Sequence, residues 1–449
     1  MTMTAVQPSV RRFSIAQLAL LVPWVAIAID AWKPIRDNSF LWHVRAGTIQ
    51  AQAGEVLSED PFSFTMPGAD WLTQSWLVEL VYGWLEGFSG LGFVPWMSLA
   101  VNLVTFLGIG LIAYRLSRSV TATVFVLVLS TMVLLSFMVP RPVIFSYALF
   151  VLVILVWDRP SLRWAVPFLI WLWASAHGSF AIGLAYIGLT LLMRREWRAL
   201  PSAFIAGGAS LLTPHGIGVV EILMNFSQAR DTLSLMSEWR RPTLDEPLVI
   251  AFAGGVVFVV IGAFLRRIEP RHLWILVPFL ALGLTALRAV PPAWLGIVPL
   301  VSLSLYGLSI GSKGRMSNIS ASIFVLVVFA LPFLLTDDGE LDGERLPVDA
   351  SAHLEPVRTF HDDRTGGFLI WSNWPEMDVY LDDRAELYVD RLQEFLAVRT
   401  GETEWRPIFD RDGIEQALLF ADEPLTDTLI DSGWQLTYED ETYVVLRPG

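Results

Sequence analysis

The chain has 449 residues, of which 54% are apolar and 17% are charged. Soluble domains contain roughly 45–50% apolar and about 25% charged residues, so the composition excludes an ordinary soluble fold. The absence of cysteine excludes disulfides, thiolate metal sites and a cysteine nucleophile.

Apolar blocks close to the length of about 20 residues that crosses a bilayer recur along the first three quarters of the chain. The first block follows Arg11 and Arg12 and has no small-residue cleavage site, so we interpret it as a retained helix rather than a signal peptide. We predict about eleven transmembrane spans, at residues 13–30, 92–114, 119–138, 142–157, 164–177, 179–193, 199–212, 247–265, 273–287, 292–310 and 319–336.

The net charge of −13 is unevenly distributed. Residues 337–449, called the tail below, carry 28 acidic and 9 basic side chains, which gives −19 and leaves +6 for the rest. Because Lys and Arg supply most of the affinity for phosphate backbones, an acidic tail argues against nucleic acid as a partner.

Basic residues predict how the spans are oriented. If the N-terminus is cytoplasmic, every cytoplasmic loop contains at least two basic residues, and these loops hold 14 of the 22 that precede the tail. Short cytoplasmic loops are enriched in Lys and Arg, so this pattern favours a cytoplasmic N-terminus and an extracytoplasmic tail.

The domain prediction has three parts: a transmembrane module at 1–336, a linker at 337–348, and an acidic α/β domain at 349–449. An external loop at 31–75 is expected to carry amphipathic helices, at 39–51 and across 71–87. In the tail we predict strands at 366–371, 377–381, 416–420, 435–438 and 442–446, and helices at 386–398 and 422–432. The fold class is therefore mainly α, a polytopic transmembrane helical bundle with a small α/β domain at the C-terminus.

Ionisable groups near a membrane are costly, and the predicted topology brings most of the unusual ones to the outer face. Asp37 directly follows the first span and is a candidate general base. The alternative is that Asp37 only caps the helix that follows it, and the residue by itself does not decide between the two.

Basic side chains at separate outer-face turns are candidates for binding a phosphate. Arg45, Arg141 and Arg288 could hold it through charge-assisted hydrogen bonds, or each could only reach toward lipid headgroups. His177 and His215 each precede a glycine at the outer end of a span. Either could bind a phosphate or a sugar hydroxyl, or act as a structural hydrogen bonder.

Three more residues complete the external set as substrate-binding or supporting groups. Asp60 could contact a sugar or open a turn, Glu238 could pair with an arginine, and His43 lies in the first loop. The histidines lack the paired spacing of metal ligands, so no metal site is predicted. A divalent ion held with Asp37 or Glu238 stays open but unsupported.

The motifs around these residues resemble the bacterial glycosyltransferase C (GT-C) superfamily. The resemblance covers the whole chain and rests on motifs at Asp37, Trp42-His43, Gly47, Asp60-Pro61-Phe62-Ser63, Trp71, Ser75-Trp76-Leu77, Arg141-Pro142, Trp173 to Gly178, Thr213-Pro214-His215-Gly216, Glu238-Trp239, Arg288 and, in the tail, Gly366 to Trp371 and Val379 to Tyr388. Position 38 departs from the pattern, because it is Asn where some members have a second acid.

The resemblance implies an inverting glycosyltransferase in the plasma (inner) membrane that moves a hexose or pentose from a polyprenyl-phosphate carrier. Asp37 matches the aspartate that activates the acceptor hydroxyl, and the outer-face arginines and histidines would bind the carrier phosphate. The expected partners are this lipid-linked sugar, membrane lipids, and a glycan, lipid or protein acceptor that the sequence does not identify. A transporter and a non-catalytic scaffold remain the alternatives.

Overall fold

The computed structural model describes residues 13–14, 19–221, 224, 237–308, 315–316 and 339–449. The predicted span at 319–336 lies outside them. The apolar part is helical, with α1 Val22–Ala31, α2 Asn38–Ala53, α3 Trp76–Ser89, α4 Val94–Ser117, α5 Val120–Leu134, α6 Val143–Trp157, α7 Val166–Ala176, α8 Phe180–Arg194, α9 Leu200–Ala209, α10 Pro247–Phe264, α11 Leu273–Gly283 and α12 Val290–Ser304.

Helix lengths vary more than the predicted blocks did. Among the described residues, four helical stretches are long and apolar enough to cross a membrane: Trp76–Ser117, Val120–Phe137, Pro247–Phe264 and Leu287–Ser304. The apolar helices Val22–Ala31, Val143–Trp157 and Phe180–Arg194 are shorter. The protein therefore has apolar helices suited to a membrane, while the number of spans stays a prediction.

The first predicted block is wrong at its start. Residues Phe13–Ser14 form a short strand, β1, that pairs antiparallel with β2, Arg315–Met316, and helix α1 begins only at Val22. Pro23 stands in the first turn of α1, where proline is favoured because its missing N–H has no helical partner there.

Buried polar contacts between apolar helices fix how the bundle packs. Trp294 of α12 donates its indole N–H to the Ser130 hydroxyl of α5 at 2.9 Å. Gly255 of α10 faces the Trp294 ring so closely that a Cβ there would overlap it. Large aromatic groups are thus seated against small residues of neighbouring helices, as in other packed membrane bundles.

The first loop, residues 32–75, contains α2 and leads into α3. These two helices cross with their backbones in contact at Gly47 and Gly83, where a Cβ on either residue would overlap the other helix. Helix α2 starts at the Asp37 cap and ends at Gly54, which adopts the left-handed conformation with φ 71°. The pair forms a rigid platform beside the ends of the bundle helices.

The tail contains a four-stranded mixed sheet with short helices packed around it. Its strands lie in the order β3-β4-β6-β5, with β3 parallel to β4 and the other neighbours antiparallel. In chain order the elements are α13 Val348–Ser351, β3 Thr359–His361, α14 Asp363–Asn373, α15 Val389–Arg399, α16 Arg406–Asp412, β4 Gln416–Phe420, α17 Pro424–Asp431, β5 Gln435–Glu439 and β6 Tyr443–Arg447.

Two strands predicted in the tail are wrong. Residues 366–371 lie in helix α14, which Asp362 caps by accepting the N–H of Arg364 at 2.8 Å. The segment reads as a strand because its apolar run is buried without the spacing of a one-sided helix. Residues 377–381 join no sheet of the tail, because Val379 exchanges backbone hydrogen bonds with Phe62 and Phe64 of the first loop instead.

The tail packs directly on the first loop. The Ile35 N–H donates to the Glu340 carbonyl at 2.8 Å, and the Ile35 carbonyl accepts the N–H of Asp342 at 2.9 Å. The Asn38 side chain accepts the Phe368 N–H at 2.8 Å and donates to the Asp363 carbonyl at 3.1 Å. The described part of the predicted linker and the start of α14 are therefore held against the start of α2.

Candidate active site

Asp37 stands where the first loop enters α2. Its Oδ1 accepts the backbone N–H of Phe40 at 2.9 Å, and Arg141 Nε lies 2.8 and 2.9 Å from its two carboxylate oxygens. The residue is 7% exposed. Asp37 is therefore a helix cap, and it also keeps a buried ion pair with an arginine from the turn before α6.

Arg141 extends this pair toward solvent. Its Nη1 donates to Glu238 Oε1 at 3.0 Å, and Glu238 Oε2 lies 4.0 Å from Arg288 Nη1. Burial opposes the charge of Arg141, but Asp37 and Glu238 outweigh it and hold the pKa of Arg141 above its ordinary value. We call Asp37, Arg141, Glu238 and Arg288 the ion-pair row.

The ion-pair row is buried at one end and open at the other. The exposed fraction of the side chains is 6% at Asp37, 26% at Arg141, 36% at Glu238 and 31% at Arg288. The Arg288 guanidinium also lies over the Trp239 ring, 4.5 Å from its centre. Two arginines that are partly open to solvent can give hydrogen bonds to an anionic group, while the carboxylate of Asp37 lies behind them.

His177 lies within electrostatic reach of this row. Its Nδ1 accepts the backbone N–H of Ser179 at 3.1 Å, so a neutral ring carries its proton on Nε2. Burial, with the positive charges of Arg288 and His43 added, lowers the pKa of His177 to about 3. His177 is therefore a neutral hydrogen-bond donor at any working pH.

The structure places Arg45 away from the ion-pair row. Its guanidinium donates to the carbonyl oxygens of Ile370, Trp371 and Trp374 at 3.3, 2.7 and 3.0 Å. These carbonyls belong to the C-terminal end of α14 and the residues after it, where an arginine satisfies orphan acceptors. Arg45 joins the tail to α2.

The two other candidate histidines hold the first loop together. His43 Nδ1 lies 2.8 Å from Glu79 Oε1, and burial lowers the pKa of His43 although Glu79 opposes this, so the neutral ring donates to the carboxylate. His215 Nε2 donates to the Thr73 carbonyl at 2.9 Å. Neither contact includes a residue of the ion-pair row.

Asp60 is buried in the contact between the first loop and the tail. Its carboxylate accepts the N–H groups of Phe62 and Ser63, both at 3.1 Å, and the Ser63 hydroxyl. It also forms an ion pair with Arg384 of the tail at 2.8 Å. With these partners inside the protein, Asp60 acts as a turn residue and as an anchor for the tail.

Sequence reasoning missed two acidic residues of the tail, Asp383 and Glu386. Asp383 Oδ1 accepts the indole N–H of Trp42 at 2.8 Å, and its charge interacts with Arg141 and Asp37. Glu386 interacts electrostatically with Arg288. The cue was present in the sequence as Asp382-Asp383-Arg384-Ala385-Glu386, an acidic run inside the tail motif, but no local pattern showed that it reaches the first loop.

The surroundings of Asp383 disfavour its ionised form. Burial, together with the negative charges of Asp382 and Asp37, raises the pKa of Asp383 to about 7, against the opposing effect of Arg141. Burial also raises the pKa of Glu386, which Arg384 and Arg288 oppose. Perturbed carboxyl groups of this kind concentrate at functional sites.

A cavity of about 460 Å³ lies between the first loop and the tail. Its described lining includes the carboxylates of Glu59, Asp70, Glu221 and Glu386, with Gln74 on one wall. Gln74 Oε1 accepts the N–H of Gly178 at 3.2 Å, next to His177. The cavity lies beside the ion-pair row, because neither Asp37 nor Arg141 lines it.

Metal ligation is not visible in the described part of the chain. Within those residues no group of three or more His, Asp or Glu side chains is arranged to hold a metal ion. The carboxylates of the ion-pair row are compensated by arginines instead.

Apolar helices, the paired first-loop helices and a site of arginines and carboxylates at one end of the bundle define a membrane protein of the GT-C fold. A crystal structure of ArnT from Cupriavidus metallidurans bound to undecaprenyl phosphate matches this chain with a TM-score of 0.50 and 14% sequence identity. The match covers 96% of this chain and 97% of that one, so the likeness includes the tail. No family model matches the sequence, and no curated protein does.

Proposed function

We propose that this chain is an integral-membrane glycosyltransferase that moves a sugar from a polyprenyl-phosphate carrier to an acceptor on the outer face of the membrane. The observation that carries the proposal is the ion-pair row, in which a buried carboxylate lies behind two partly exposed arginines. The similar fold of ArnT, whose structure contains undecaprenyl phosphate, supports the choice of carrier. That likeness gives the transporter and scaffold alternatives no support.

Asp37 is the proposed base. A carboxylate has about four lone-pair positions, and Arg141 and Phe40 occupy three of those of Asp37, so one remains for an acceptor hydroxyl. The hydroxyl proton passes to Asp37 while the acceptor oxygen attacks the anomeric carbon from the face opposite the phosphate. The bond from that carbon to the phosphate oxygen breaks, and polyprenyl phosphate leaves with inversion.

Arg141 and Arg288 are the proposed phosphate ligands. Their exposed guanidinium nitrogens can exchange Glu238 for the carrier phosphate, and neutral His177 can add one N–H. The other predicted ligands, Arg45 and His215, along with His43 and Asp60, have partners elsewhere and are proposed as supports of the first loop. The topology that goes with this has a cytoplasmic N-terminus and the tail outside.

The test is Asp37→Asn in purified protein reconstituted in lipid nanodiscs. A panel of polyprenyl-phosphate sugars carrying glucose, mannose, galactose or arabinose is supplied with envelope lipid extract, and released polyprenyl phosphate is measured. We expect Asp37→Asn to lower the rate at least about 100-fold, as loss of a general base does. Asn can still accept the Phe40 N–H, so the melting temperature should stay close to that of the parent.

Asp245→Asn is the matched control, because Asp245 is an exposed carboxylate in the loop before α10. It should retain the parent rate. Transfer at the parent rate by Asp37→Asn would remove Asp37 from the mechanism, and a parent that releases no polyprenyl phosphate from any donor would argue against the function itself.

A further inference from the structure

The tail segment 382–387 is anchored to the first loop by a buried arginine. Arg384 Nη2 lies 2.8 Å from Asp60 Oδ1 and 2.6 Å from Asp382 Oδ2, and all three side chains are fully buried. The guanidinium also lies 4.4 Å from the centre of the Trp71 ring. We call Asp60, Asp382 and Arg384 the tail anchor.

This anchor fixes the position of the residue between its two members. The Asp383 carboxylate points to the first loop, where the Trp42 indole donates to it at 2.8 Å. Trp42 lies on α2, the helix that Asp37 caps, and Arg141 and Asp37 are both within electrostatic reach of Asp383. A carboxylate of the tail therefore faces the arginine that the proposed function assigns to the carrier phosphate.

Sugar transfer changes the charge of the carrier. The lipid-linked donor is a phosphodiester with one negative charge, whereas the released carrier is a phosphomonoester. Such a monoester carries about −1.5 to −2 charges at pH 7, because its second pKa is about 6. A negative side chain beside the phosphate site repels the product more strongly than the donor.

We propose that Asp383 is a specificity-determining residue whose carboxylate, held beside Arg141 by the tail anchor, disfavours the doubly charged phosphomonoester relative to the singly charged phosphodiester. The inference rests on the proposed function. Its consequence is that the tail promotes release of the spent carrier, so the tail forms one wall of the site.

Other charges also act on Asp383. Arg141 from the turn before α6 favours its ionised form, while Asp37 from the first loop and Asp382 from its own segment disfavour it. Asp363 at the start of α14 is also within electrostatic reach. With its pKa raised to about 7, Asp383 is mostly ionised at pH 8.5 and mostly protonated at pH 5.5, which gives the experiment two conditions.

The experiment compares the parent with Asp383→Asn in nanodiscs, by equilibrium binding of two probes. One probe is undecaprenyl phosphate and the other is its methyl ester, a phosphodiester with one charge. At pH 8.5 we expect Asp383→Asn to bind the monoester about tenfold more tightly than the parent does, with at most about a twofold change for the diester. At pH 5.5 the difference for the monoester should shrink to about twofold.

Two further variants separate charge from structure. Asp383→Glu keeps the charge and should keep the preference of the parent, whereas Asp410→Asn, at an exposed carboxylate of α16, should change neither affinity. Asn can still accept the Trp42 N–H, so the fold of Asp383→Asn should survive, and its melting temperature checks this.

The inference is overturned if Asp383→Asn leaves the affinity for the monoester unchanged or weaker, or strengthens both probes equally. The proposed function is judged separately, by the parent protein and Asp37→Asn. A parent that binds neither probe overturns both, while a parent that binds both, with transfer dependent on Asp37, leaves only the role of Asp383 in question.

Discussion

The protein contains the same charge motif twice, an arginine between two carboxylates, in regions that differ in access to solvent. In the tail anchor, Arg384 lies between Asp60 and Asp382 and is completely buried. In the ion-pair row, Arg141 lies between Asp37 and Glu238 with 26% of its side chain exposed. Because a ligand can reach only the second arginine, exposure rather than residue type separates a structural ion pair from a site.

The largest expected effect comes from the closed motif. Arg384→Met should destabilise the protein by about 3–5 kcal/mol, because it leaves Asp60 and Asp382 buried without a positive partner. The melting temperature in detergent measures this. Arg391→Met, at a tail arginine with 27% of its side chain exposed, should cost less than about 1 kcal/mol. Equal losses in the two variants would show that the tail anchor is not special.

A second substitution addresses the open motif. Arg141→Lys keeps the charge but loses the forked geometry, so we expect the rate of sugar transfer to fall about 100-fold while the melting temperature changes little. Arg391→Lys, at an arginine of nearly equal exposure, is the control. Loss of folding without loss of specific activity would move Arg141 into the same structural class as Arg384.

A smaller effect is expected at the exposed end of the ion-pair row. Arg288→Ala should weaken binding of undecaprenyl phosphate about tenfold, because one charge-assisted contact is lost and Arg141 remains. Arg240→Ala, whose side chain pairs with Glu246, is the control and should bind as the parent does. Unchanged affinity in Arg288→Ala would confine the phosphate to Arg141.

The smallest predicted effect concerns stability and pH. The pKa of Asp383 is raised to about 7 in the folded state, above an unfolded value of about 3.9, so folding favours its protonated form. The stability of the parent should therefore fall as pH rises from about 4 to about 7 and then level off. Asp383→Asn removes this loss and should melt about 2 °C above the parent at pH 8, with no difference at pH 4. A gap that is the same at both pH values would contradict the raised pKa.

The sequence predicts well the features that depend on local pattern. Apolar block length located α4, α5, α6 and α10 to within a few residues, because helix interiors are set by hydropathy and their ends by proline and by caps such as Ser119. Segment 366–371 was misjudged because its short apolar run is buried in contact with Leu381 and Asn38, and burial from several sides hides the helical period.

The site was predictable only in part. Membrane cost marked Asp37, Arg141, Glu238 and Arg288, and the structure brings all of them together. The same criterion also selected Arg45 and Asp60, because it cannot show which charges find partners inside the protein. Asp383 escaped because its contact with Trp42 joins residues 341 positions apart.

Position 38 connects the two regions, and its chemistry limits how the protein can be rebuilt. Asn38 uses both ends of its amide on the tail, accepting from Phe368 and donating to the Asp363 carbonyl. An aspartate there has no N–H to give, so it would place a negative charge against that carbonyl. A second acid beside Asp37 is thus incompatible with this way of docking the tail. Chimeras that exchange tails between related chains must exchange residue 38 with them.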